Sequence, residues 1–129
     1  ATRTKAAALT LLLTASIALS AHVSSANEWI VDGDTVTAIL EVGYDPEFVN
    51  FSGTVTVQMR NVIESGKMKI VTTILNVTPQ PGFTYSIKKS GGVNGTVDIG
   101  FNSGACESRF SFLYKPGLTR IDYGVLRCR

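Results

Sequence analysis

Apolar and polar residues alternate along most of this chain, and turn residues break the alternation at short intervals. A period of two places successive side chains on opposite faces of an extended backbone, so the pattern predicts half-buried β-strands. Residues 35–44 are the clearest case, with Val36, Ala38, Leu40 and Val42 on one face and Thr35, Thr37 and Glu41 on the other. Residues 53–61 repeat it, Val55, Val57 and Met59 pointing inward and Thr54, Thr56, Gln58 and Arg60 outward. A short strand at 28–31 comes first and ends at Asp32-Gly33-Asp34. Later, Phe83, Tyr85 and Ile87 alternate with Thr84, Ser86 and Lys88, and residues 96–101 bring Val97, Ile99 and Phe101 inward. Residues 67–77 are partly apolar on both faces, so their inside face is left open.

The breaks are as informative as the runs. Asp45-Pro46-Glu47, Ser65-Gly66, Pro79-Gln80-Pro81-Gly82, Gly91-Gly92 and Asn94-Gly95 all carry residues that favour turns. Proline at 46, 79 and 81 also withholds a ladder hydrogen bond. No stretch beyond residue 26 has the apolar spacing of a helix. The expected fold is therefore all-β, an antiparallel β-sandwich of about seven to eight strands, immunoglobulin-like as the commonest arrangement of that size. A small closed barrel is the alternative.

The last two strands form a hairpin around Lys115-Pro116-Gly117-Leu118. Cys106 and Cys128, the only cysteines, lie equally far from Gly117, which predicts a disulfide near the open end. A two-residue turn at Pro116-Gly117 sets Phe112 opposite Ile121 and Phe110 opposite Tyr123, an apolar pairing. In that register Cys106 faces Arg127. A one-residue bulge, with Gly124 as its natural site, is needed to bring it opposite Cys128.

Residues 1–26 read as a secretory signal segment. Arg3 and Lys5 supply a basic start, an uncharged run with Leu9, Leu11, Leu12, Leu13, Ile17 and Leu19 follows, and Ser24-Ser25-Ala26 fits a cleavage site before Asn27. A retained anchor is the competing reading, because the uncharged stretch falls within the spanning length of about 17–25 residues. Removal leaves one domain over residues 27–129, with no membrane attachment. Export also explains paired cysteines.

Composition then narrows the chemistry. The chain has 44% hydrophobic and 17% charged residues, which suits a packed domain rather than a disordered one. Without Arg3 and Lys5 the 12 basic side chains fall to ten, equal to the 10 acidic ones. A balanced surface argues against a nucleic-acid partner, which calls for a basic patch.

The single histidine is His22, inside the leader, so the domain lacks the base of Ser-His-Asp and Cys-His catalysis and the usual histidine metal ligands. Paired cysteines supply no thiolate. Carboxylates remain, among them Asp32, Asp34, Glu41, Asp98, Glu107 and Asp122, but no spacing singles out a glycosidase pair. Asp32-Gly33-Asp34 could begin a calcium loop, yet it lacks the further acidic positions and reads as a turn. No cofactor is expected, and the chain is not expected to be an enzyme.

Binding features are the remaining candidates. Tyr44, Phe48 and Phe51 flank an otherwise polar loop and offer an aromatic platform, although loop phenylalanines usually cap a core. Asn50, Asn76 and Asn94 each begin an Asn-x-Ser/Thr glycan acceptor sequence. The expected function is thus that of a secreted β-sandwich module, adhesin-like, filament-forming or carbohydrate-binding. It would meet a protein or carbohydrate partner, or further copies of itself as a homo-oligomer, at a loop or strand edge. The alternative is a small inhibitor or effector that presents a loop to a target protein.

Overall fold

The computed structural model describes residues 27–45 and 49–129; the expected signal segment lies outside these. The described residues form nine strands: β1 (Glu28–Asp32), β2 (Thr35–Gly43), β3 (Phe51–Glu64), β4 (Lys67–Pro79), β5 (Thr84–Val93), β6 (Thr96–Ser103), β7 (Cys106–Lys115), β8 (Leu118–Tyr123) and β9 (Arg127–Cys128). All pairings are antiparallel. They follow sequence order from β1 to β8, and β9 returns to pair with β7.

This order corrects the immunoglobulin-like expectation. An immunoglobulin arrangement is a Greek key, which sets non-consecutive strands side by side. Here short turns make a meander instead: Asp32 pairs with Thr35, Glu64 with Lys67 and Lys115 with Leu118, each across two residues. The open nine-stranded sheet is the consequence.

Its two halves bury their inner faces in one cluster. Leu40, Val55, Val57 and Met59 come from β2 and β3, while Val97, Ile99, Phe101, Phe110 and Phe112 come from β6 and β7. The sheet therefore curls until its halves face one another. Between them Ser52 Oγ lies 3.3 Å from Ser108 Oγ, a buried hydrogen bond across the layer. Gly53 sits at the closest approach, where a Cβ would stand 2.5 Å from the Phe101 ring and 2.8 Å from the Thr78 carbonyl oxygen.

β4 shows why its inner face could not be read from its period. Thr56 pairs with Asn76 and Val57 with Ile74, so Leu75 is an extra residue in the ladder. A bulge of one residue exchanges the two faces. Ile70, Thr72 and Ile74 point inward before it, and Val77 does so after it, opposite the buried Val55.

β5 joins the halves. Thr84 to Ser90 pair with β6, then Gly91 to Val93 pair with Thr73 to Val71 of β4. Gly91-Gly92 is thus a corner within a strand and not the turn its composition predicts. Gly91 has φ 91°, and a Cβ there would stand 2.7 Å from the Thr72 carbonyl oxygen. Only glycine takes that conformation at that distance without strain.

The closing hairpin keeps its expected register. Phe112 pairs with Ile121 and Phe110 with Tyr123, whose rings are 5.7 Å apart, while Cys106 stands opposite Cys128. The extra residue falls between Tyr123 and Arg127, but Gly124 is not its site. Gly124 still donates its amide to the Arg109 carbonyl at 2.6 Å, in the regular register. The ladder breaks just after it, because the Leu126 amide turns to the Tyr44 carbonyl at the end of β2, 3.2 Å away.

Candidate functional site

The sheet opens where β4 and β5 part. Their ladder is limited to three pairs, Val71–Val93, Thr72–Gly92 and Thr73–Gly91. Beyond it, residues 74–79 of β4 pair only with β3, and residues 84–90 of β5 pair only with β6. Each backbone thus turns one edge toward a cavity of about 540 Å³, lined by Thr72, Ile74, Leu75, Val77, Tyr85 and Ile87 among others.

Register decides where these side chains point. Tyr85 pairs with Phe101 and Ile87 with Ile99, and residues directly opposite in an antiparallel ladder share a face. Phe101 and Ile99 are wholly buried, so Tyr85 and Ile87 also leave the sheet on its inner face. They nevertheless remain 43% and 47% exposed. The core is uncovered along this side.

A polar group is sealed beneath the opening. Thr72 pairs with the buried Met59, so it points inward, and it is 2% exposed. Its Oγ1 has no hydrogen-bond partner. An unpaired hydroxyl at that depth is destabilising by about 1–3 kcal/mol unless a ligand or water meets it. No residue lining the opening carries a charge.

Two of the three candidate aromatic residues, Tyr44 and Phe51, lie among the described residues. Phe48 lies outside the described residues. The Tyr44 ring packs on Phe83 with centroids 5.9 Å apart, and Phe83 in turn packs on the core. The Tyr44 backbone receives the Leu126 amide and donates to the Asn50 carbonyl, while Phe51 is half-buried in β3 opposite Gly43. The Asp45 carboxylate accepts the amides of Val49 and Asn50 at 3.0 and 3.1 Å and the Asn50 side-chain amide at 2.7 Å.

The three sequons separate in the same way. Asn50 spends its side chain on Asp45, and the Asn94 Oδ1 accepts the Ile70 amide at 3.0 Å, holding the turn after β5. Asn76 is exposed on the rim of the opening, its Nδ2 donating to Thr78 Oγ1 at 2.9 Å.

Several carboxylates are engaged at the surface. Asp98 holds Arg109 through two contacts, 3.1 Å to Nε and 2.8 Å to Nη2, and their hydrogen bond raises the already high Arg109 pKa. Asp122 stands 3.3 Å from Arg120. Glu64 stands 2.9 Å from Lys69, whose hydrogen bond and charge lower the Glu64 pKa. Asp32 and Asp34 border the β1–β2 turn, and no group of three or more metal-ligating side chains occurs among the described residues. Cys106 and Cys128 are bonded to one another, with Cα atoms 3.9 Å apart.

No family model, curated protein or solved structure matches the chain.

Proposed function

We propose that this chain is an exported binding module, a disulfide-closed sheet folded into two sandwich-like layers, that acts by holding a partner at the β4–β5 opening and not by catalysis. The observation that carries this reading is the pair of inner-face side chains, Tyr85 and Ile87, left half exposed beside two unpaired backbone edges. Edges of this kind are templates for another chain, and natural sheets usually shield them. An adhesin-like or filament-forming role uses that property directly. The disulfide and the basic, uncharged and small-residue zones of residues 1–26 support export.

A second reading, an inhibitor or effector presenting residues 44–52, is favoured by the Asp45 carboxylate, which holds Val49 and Asn50. One experiment separates the two. A photo-cross-linking residue at position 85 should capture a partner in the native secretion, and the same residue at position 49 or at exposed position 120 should not. Capture from position 49 alone would favour the loop. The mass of the protein from its native source should correspond to a chain starting at Asn27 with one disulfide; an uncleaved, reduced chain would overturn export.

A further inference from the structure

We infer that the β4–β5 opening takes a short, extended, uncharged segment of another polypeptide as an added strand. This rests on the reading of the opening as a binding site. Three observations define the occupant.

Two backbone edges face the opening, one from residues 74–79 and one from residues 84–90. A sugar or compact apolar ligand could fill the space, but only an extended backbone offers donors and acceptors at the strand repeat along both edges.

The opening is closed at both ends. The Val71–Val93, Thr72–Gly92 and Thr73–Gly91 pairs shut one end. The connection from β4 to β5 shuts the other, held by the Gln80 amide on the Ser52 carbonyl and the Phe83 amide on the Gln80 carbonyl, both 2.9 Å. A strand that is already part of a folded sheet cannot enter such a window lengthwise. A flexible segment can, entering and leaving across the face. Strand spacings of about 3.3, 4.8 and 10 Å allot about 160 Å³ to each packed strand residue. The cavity of about 540 Å³ therefore holds about three to four residues.

Charge disfavours the chain's own folded edges as the source, although the 84–90 edge itself carries Lys88 and Lys89 outside the cavity lining. The lining is uncharged, whereas β1 carries Glu28 and Asp32, β8 carries Arg120 and Asp122, and β9 carries Arg127. Burying an unpaired charge against this lining is unfavourable. A segment from a different polypeptide, apolar along its inner side, fits the inner wall of Ile74, Val77, Tyr85 and Ile87.

The test titrates the purified protein with three six-residue peptides while amide hydrogen exchange is followed. The first alternates threonine and valine, the second is the same peptide N-methylated at alternate residues, and the third replaces its threonines by glutamate. The first should slow exchange at residues 74–79 and 84–90, and the other two should not. Equal binding of the N-methylated peptide, or no protection by any peptide, overturns the added strand. So does a concentration-dependent dimer that Tyr85→Lys abolishes, which would assign the opening to a second copy. Native capture from position 85 with blank peptide arms would keep the binding reading and remove this inference. Peptide protection at both edges supports the added strand whether or not a native partner is captured.

Discussion

Tyr85 and Phe101 stand directly opposite one another across the β5–β6 ladder, so their rings leave the sheet on the same face, yet Phe101 is wholly buried and Tyr85 is 43% exposed. The boundary of the core passes between them. Phe101→Ala should therefore destabilise the fold by about 3–5 kcal/mol, as large-to-small core changes do. Tyr85→Ser should stay below about 1 kcal/mol. Urea denaturation of the two variants measures the contrast, and equal losses would mean the opening is closed in solution.

Gly53→Ala tests the face-to-face packing of the halves. Its methyl would press on the Phe101 ring and the Thr78 carbonyl at once, and neither can retreat without moving a strand. A loss of about 1–3 kcal/mol in denaturant unfolding is expected. A neutral variant would contradict the curled sheet.

The disulfide closes a sequence separation of 22 and fastens β9 to β7. Replacing both Cys106 and Cys128 by alanine should lower stability by about 3 kcal/mol through the freedom regained by the unfolded chain. Binding at the β4–β5 opening should persist wherever the variant stays folded, because the bridge lies on other strands.

Alkaline pH should unfold the protein through two tyrosines. Burial raises the pKa of both Tyr114 and Tyr123 above the ordinary 10.0, partly offset at Tyr123 by a hydrogen bond with Asn27. The folded chain then holds these protons to higher pH than the unfolded chain. Stability is unaffected below the unfolded value and falls as pH rises through the folded values. Unfolding midpoints followed upward from pH 9, with Tyr114→Phe reducing the fall, check the sign.

What could be read from the chain depended on how local its cause was. The inner faces of β2 and β3 were legible because one alternation runs unbroken through Val36 to Val42 and Val55 to Met59, and all of these alternate positions are buried. The Phe112–Ile121 and Phe110–Tyr123 pairs followed from the turn alone. β4 was not legible, because the Leu75 bulge that exchanges its faces exists only in its register with β3. Gly91 has turn composition, but its conformation answers to Thr72 on another strand. The break after Gly124 depends on the Tyr44 carbonyl, far away in sequence.

The opening itself was hidden for the same reason. Tyr85 and Ile87 alternate much as Val97, Ile99 and Phe101 do, and nothing local says which run the opposite half will cover. Tyr44 and Phe51 lie in a polar stretch, and their packing against Phe83 and β2 depends on contacts distant in sequence. One local signal exists: the apolar alternation ends at Ile87, and after Lys88-Lys89 comes Ser90-Gly91-Gly92, residues that can turn a strand away from its neighbour.

Native-state amide hydrogen exchange of the unliganded protein tests the central claim most directly. Strand residues bond alternately to their left and right neighbours. Alternate amides of residues 74–79 and 84–90 should therefore exchange with little protection, while those at Val97 and Ile99 in the middle of the sheet exchange slowly. Uniform protection along both β4 and β5 would contradict the account, because it would mean that the two strands pair along their whole length and leave no place for another.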